Sequence, residues 1–92
     1  MKLIVVHGHY GHVELAEADV VQTGIFKGLT QRKMFEQIMK EGYGNNVPAL
    51  FHTEFKNGEV VQFKGYEAAP LIGRPDVETV WVIAPMAGGA RE

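Results

Sequence analysis

Two continuous apolar runs, one near each end of the chain, place the strongest limit on what this sequence can fold into. Lys2 to Val6 has the sequence KLIVV, and Val80 to Ala84 has the sequence VWVIA. A strand with one face in water alternates apolar and polar residues, whereas an uninterrupted run is typical of a strand buried on both faces. The sequence therefore predicts two central strands, within the single domain that 92 residues can form.

One amphipathic helix is predicted from Thr30 to Glu41. Thr30 is suited to the N-cap because its side-chain oxygen can accept a backbone N–H that has no partner within the helix. Gly42 is expected to end the helix, since glycine adopts the left-handed conformation that the C-terminus needs. Residues at helical spacing form one apolar stripe. They are Met34, Phe35, Ile38 and Met39.

Two hairpins are predicted, one on each side of the helix. Val13 to Ala18 alternates apolar and acidic residues, and it follows a glycine-containing turn after the first apolar run. Farther along, Asn57-Gly58 separates strands predicted over 49–55 and 59–63. This dipeptide favours a type I′ turn, in which both central residues have positive φ.

Two segments have no clear periodicity. Asp19 to Gly28 is interrupted by glycine, and we interpret it as an irregular excursion before the helix. Gly65 to Asp76 contains Pro70, Gly73 and Pro75, so it is predicted to be a long connection without regular structure.

These elements favour an α+β domain with the ubiquitin-like β-grasp fold. The terminal strands would lie side by side and parallel at the centre of a mixed sheet, and the helix would cover one face. A ferredoxin-like fold would need a second helix, which Gly65 to Asp76 does not predict. We expect the β-grasp domain to span 1–86 and a flexible Gly-rich tail to span 87–92. Besides the helix stripe, the predicted core contains Ile4, Val6, Leu15, Leu50, Val61, Leu71 and Trp81.

The composition excludes several classes of function. The net charge is −2, and Lys and Arg are spread along the chain, so there is no basic field to hold nucleic acid or an anionic membrane. The absence of cysteine removes disulfides, thiolate nucleophiles and cysteine-ligated zinc. The apolar runs are too short for a membrane span or a signal-peptide core, so nothing in the sequence directs export.

Several elements occur in an order that is found in a known family. They are Leu3 to Gly8, Pro70-Leu71, Asp76, Val82-Ile83-Ala84-Pro85 and Ala87-Gly88-Gly89. In this order they resemble the ubiquitin-like domain of the lambda-like phage tail assembly protein I family. Two features differ: Asp19 to Gly28 is longer than the family's link to the helix, and the family usually continues after the glycines into an apolar Gly-rich segment.

The resemblance implies a non-enzymatic tail-tip assembly protein that acts by docking onto other proteins. Its partners would be other phage tail-tip or tail-assembly proteins, and neither nucleic acid nor a membrane would be bound. It would act in the host cytoplasm during virion assembly, and the virion tail is a second location. No cofactor is expected.

His7, His9 and His12 form the first candidate site. On an extended segment His7 and His9 project to the same side, so two imidazoles could share a metal ion with His12 arriving from the turn. A catalytic zinc site also needs an outer-shell carboxylate and a walled cavity. We interpret the segment as a polar turn after a central strand and predict no metal, with a small His-based metal-binding protein as an alternative. His52, alone in a strand, is interpreted as a residue on the sheet face.

Gly88 and Gly89 form the second candidate site. Ubiquitin-like modifiers and sulfur carriers end in Gly-Gly because a tail without Cβ atoms can enter a narrow enzyme channel. Here 90–92 follow, so a modifier or sulfur carrier would need a peptidase to remove them. This is the first alternative function, and the His-based metal-binding protein is the further alternative. No other group of residues predicts an active site, because the acidic residues of 14–19 fit a solvated strand face.

Overall fold

The computed structural model describes residues 1–7, 11–42 and 47–83. Five strands form one mixed sheet in the order β2-β1-β5-β3-β4. The strands are β1 (Lys2–His7), β2 (Gly11–Leu15), β3 (Leu50–Phe55), β4 (Val60–Lys64) and β5 (Val77–Ile83). The α-helix α1 spans Gln31–Glu41, and a short 3-10 helix spans Gly65–Leu71. This α+β architecture is β-grasp-like, as the sequence predicts.

The predicted parallel pairing of the terminal strands is confirmed. β1 and β5 lie side by side at the centre of the sheet, with Leu3 opposite Val80 and Val5 opposite Val82. All four side chains are completely buried. The hairpins β1–β2 and β3–β4 add the outer strands, and both are antiparallel.

Helix α1 begins and ends where the sequence indicates. The Oγ1 atom of Thr30 accepts the N–H of Lys33 at 3.2 Å, and the N–H of Gly42 donates to the carbonyl oxygen of Ile38 at 2.8 Å. Gly42 has a φ of 55°, a conformation that favours glycine. Met34, Phe35 and Ile38 are completely buried, and the Phe35 and Phe51 ring centroids are 4.9 Å apart.

One end of the molecule gathers several chain segments, and we call it the basal end. β1 and β5 begin there, β2 and β3 end there, and α1 also starts there. Gln31, in the first turn of α1, ties the layers together: its Nε2 donates to the carbonyl oxygens of Met1 at 2.8 Å and Leu15 at 2.9 Å. Because Gln31 is 7% exposed, these bonds are shielded from water.

The prediction that the terminal strands are buried on both faces is wrong. α1 covers one face of the sheet only, and the alternation within β1 shows it: Leu3 and Val5 are completely buried, Ile4 is half-buried and Val6 is 43% exposed. Four residues predicted for the core therefore lie on the other face. They are Ile4, Val6, Leu50 and Trp81. Leu15 and Leu71 are buried as predicted, and Val61 and Met39 are half-buried against the core.

Both hairpins are confirmed, but their details differ from the predictions. β2 begins at Gly11 and ends at Leu15, so it starts earlier and is shorter than the predicted 13–18. In the β3–β4 hairpin the N–H of Gly58 donates to Phe55 O at 2.9 Å, and the N–H of Phe55 donates to Glu59 O at 2.8 Å. Three residues, 56–58, thus form the loop instead of the two residues of a type I′ turn, with Gly58 at a φ of 93°.

The connection after β4 is more ordered than predicted. Gly65–Leu71 forms a 3-10 helix that packs against α1 and buries Ala68 and Leu71. The Oε1 atom of Glu67 accepts the N–H of Lys64 at 3.1 Å, which supports the start of the helix. The helix is seven residues long and ends before Gly73 and Pro75, which would interrupt a longer α-helix.

The segment before α1 is irregular, as predicted, but it is closed by backbone hydrogen bonds. Val20 and Thr30 form an isolated bridge, and the N–H of Val21 donates to Leu29 O at 2.9 Å. Val21 is 3% exposed and packs in the core, whereas Ile25 at the tip is 83% exposed.

Candidate docking surface

The sheet face opposite α1 is the candidate functional surface, and we call it the open face. Strand register places its side chains in three rows that run across the sheet. The first row is His12, Val6, Ile83, Leu50 and Lys64. The second row is Glu14, Ile4, Trp81, His52 and Gln62. The third row is Lys2, Thr79, Glu54 and Val60.

The centre of the open face is apolar. Its five side chains are Ile4, Val6, Leu50, Trp81 and Ile83. Val6 is 43% exposed and the other four are half-buried, and α1 packs on the opposite face of the sheet, where Phe35 contacts Phe51. A tryptophan next to four aliphatic side chains provides a large apolar contact area on strands whose backbone is fixed by the sheet.

The β2 side of the open face has a charged border. The Nζ of Lys2 lies 3.6 Å from Glu14 Oε1, and the Nε2 of His12 lies 3.1 Å from Glu14 Oε2. The hydrogen bond from His12 and, next, the charge of Lys2 hold the pKa of Glu14 below its ordinary value. All three side chains are about half exposed or more, so these pairs add little to stability and leave charges available to a partner.

The β4 side of the open face has a polar border of a different kind. His52 is half-buried beside Trp81, which confirms its interpretation as a face residue, and Gln62 and Lys64 are exposed. An apolar centre with polar borders on both sides is the general arrangement of a protein–protein interface.

The structure describes one of the three side chains in the predicted histidine site, that of His12. His12 lies in β2 opposite Val6, on the open face, instead of in the turn. His7 is the last residue of β1, and its backbone alone is described; His9 lies outside the described residues. Within 1–7, 11–42 and 47–83, no group of three or more His, Cys, Asp or Glu side chains is placed to hold a metal ion.

The second predicted site and the domain boundary both lie outside the described part of the chain. Gly88, Gly89 and the predicted tail over 87–92 follow the last described residue, Ile83. The structure therefore describes the strand that leads to the two glycines and nothing of the glycines themselves. Neither described helix is long and apolar enough to cross a membrane.

The open face was missed by the sequence analysis, although one signal for it exists. β3 has the sequence LFHTEF, in which His52 and Glu54 alternate with Phe51, Thr53 and Phe55. This alternation predicts one solvated face, and a strand paired to β3 must expose the same face of the sheet. The apolar run in β5 therefore indicates exposed apolar residues when it is considered together with β3.

Comparison of the chain with family models, with curated proteins and with solved structures finds no match.

Proposed function

We propose that this chain is a non-enzymatic docking protein that binds another protein through the open face. The observation that favours this function is the apolar centre around Trp81, which α1 leaves uncovered and which polar side chains surround. Burying such a patch against a partner removes apolar surface from water, and this is the main favourable term in protein association. The polar borders would supply register and specificity.

The partners that we propose are phage tail-tip or tail-assembly proteins. This part of the proposal depends on the resemblance of the sequence elements between Leu3 and Gly89 to the tail assembly protein I family. The β-grasp-like fold is compatible with that resemblance. The protein would act in the host cytoplasm while the tail is assembled.

A binding experiment tests the surface and the partner class together. The probes are purified tail-tip and tail-assembly proteins encoded by genes adjacent to this one, and affinity is measured by isothermal titration calorimetry. We expect one of them to bind and the Trp81→Ala variant to bind at least about tenfold more weakly, as for a central interface aromatic. Leu50→Ser provides a second open-face variant.

Tyr66→Ala is the matched control. Tyr66 is an aromatic residue that is 65% exposed, as a docking residue would be, but it lies in the 3-10 helix and not on the open face. Its loss should leave the affinity unchanged. Equal weakening by Tyr66→Ala and Trp81→Ala would contradict the open face as the docking surface, and no binding to any tail protein would contradict the phage assignment.

A further inference from the structure

A second feature, separate from the open face, is a cavity of about 460 Å³ at the basal end. It lies between the first turn of α1, the loop 71–75 and the start of the β3–β4 loop. Its volume falls within the range of small-molecule sites in proteins. We call it the basal cavity.

The described residues that line the basal cavity combine positive charge with apolar surface. Arg32, Lys56 and Arg74 contribute three cations, whereas Glu17 is the one acidic residue among them. Met1, Ile72 and Pro75 provide its accessible apolar surface, and the buried Phe35 and Leu71 lie beneath it. This combination suits a ligand that has an anionic group at one end and an apolar body at the other.

Arg74 is held in place while it retains donors for a ligand. Its Nε donates to Asp76 Oδ1 at 2.9 Å and its Nη2 donates to Asp76 Oδ2 at 2.6 Å. Its Cζ lies 4.9 Å from the centroid of the Phe55 ring. Two of the five guanidinium N–H groups are used in this way, so three have no acceptor among the described residues.

The other two cations also have donors to spare. The Nε of Arg32 lies 3.3 Å from Glu36 Oε2, and both of its terminal nitrogens have no acceptor among the described residues. No described carboxylate lies within 4.0 Å of the Lys56 ammonium group. Arg32 and Arg74 can therefore bind an anion without first breaking their ion pairs, and Lys56 has no described ion pair to break.

We propose that the basal cavity binds a carboxylate attached to an aliphatic body. The carboxylate would accept hydrogen bonds from Lys56 and from the free N–H groups of Arg32 and Arg74. The aliphatic body would pack on Met1, Ile72 and Pro75. A short fatty acid and the C-terminal residue of an apolar peptide both have this chemistry.

To test the proposal, the full chain is titrated with small ligands, and binding is monitored through the amide NMR signals of Arg32, Lys56 and Ile72. Octanoate represents the fatty acid, and N-acetyl-leucine represents the peptide C-terminus. The probe that binds more tightly identifies which of these two ligand classes the cavity prefers. Octanol has the aliphatic chain without the carboxylate, so it tests the apolar contribution to binding. Inorganic phosphate is an anion without an aliphatic chain, so it tests the contribution of charge. We expect saturable shifts with octanoate or N-acetyl-leucine, and at least about tenfold weaker binding of octanol and phosphate.

A second test removes positively charged side chains from the basal cavity one at a time. Lys56→Gln and Arg32→Gln should each weaken binding about three- to tenfold, since each removes a charged donor at a solvent-accessible site. Lys40→Gln is the matched control, because Lys40 is an exposed lysine at the opposite end of α1, and it should bind like the parent. Equal affinity for octanol and octanoate, no saturable shift at these amides, or no effect of either glutamine variant would overturn the proposal.

Discussion

Leu3 and Ile4 are neighbours in the chain but lie on opposite faces of the central strand β1. Leu3 is completely buried on the face covered by α1, whereas Ile4 is half-buried on the open face. The two side chains have the same number of carbon atoms, so they provide a matched pair for testing which face of the sheet forms the core.

Truncation to alanine should separate the two residues. Leu3→Ala should lower the free energy of unfolding by about 2–5 kcal/mol, because it leaves a cavity in a closely packed core. Ile4→Ala should cost clearly less, since its site already borders water. Urea denaturation followed by circular dichroism measures both, and equal losses would contradict the assignment of the open face.

The N-cap of α1 should contribute measurably to stability. Thr30→Ala removes the oxygen that accepts the N–H of Lys33 and should lower the free energy of unfolding by about 1 kcal/mol. Thr30→Ser keeps an acceptor at this position and is the control. If both variants unfold at the same urea concentration, the cap hydrogen bond has no role in stability.

Adding a side chain at Gly42 should destabilise the protein more than adding one at an exposed glycine with positive φ. A Cβ atom at Gly42 would collide with the carbonyl oxygen of Val47, in addition to the conformational cost at a φ of 55°. Gly24 has a φ of 83° but open space around the same position. We therefore expect Gly42→Ala to lower the melting temperature more than Gly24→Ala does, and the reverse order would contradict the packing at the end of α1.

Acid should weaken the Arg74–Asp76 pair. The hydrogen bonds from Arg74 lower the pKa of Asp76 in the folded protein, so the pair stabilises the fold above the unfolded pKa, and this stabilisation is lost as the pH falls through the folded value. Between pH 6 and pH 3 the parent should thus lose more stability than Asp76→Asn. Glu78→Gln is the control, because Glu78 is an exposed neighbour with no ion pair among the described residues. It should follow the parent.

The docking proposal also predicts how the glycines at 88 and 89 behave. Intact mass spectrometry of the protein recovered from its native cells should give the full-length mass. Replacing both glycines with alanine should hardly affect tail assembly, since no enzyme channel has to admit them. A chain ending at Gly89 would instead favour the processed modifier or sulfur carrier.

The order and type of the main elements could be predicted from the sequence. Which face of each central strand is buried could not. Alternation, caps and the Asn57-Gly58 dipeptide are local signals, so α1 and both hairpins could be predicted from short windows. In the apolar run of β1, every residue is compatible with burial, so Leu3 and Ile4 cannot be distinguished locally. Their difference arises because one helix can cover only one face of a five-stranded sheet.

The basal cavity could not have been predicted for a related reason. Arg32, Lys56 and Arg74 are far apart in the chain, and no short motif joins them. They meet because strand directions bring the ends of β3 and the starts of β5 and α1 to the same end of the sheet.

The pairing of β1 with β5 also has a consequence for synthesis on the ribosome. β1 precedes its central partner β5 by almost the entire described chain, so the two strands cannot pair until the residues between them have been translated. Until then one edge of β1 remains unpaired, and the apolar side chains of Leu3 and Val5 are not enclosed. Pairing of β1 with β5 therefore closes a loop of almost the whole described chain, and contacts between segments this distant in sequence slow folding.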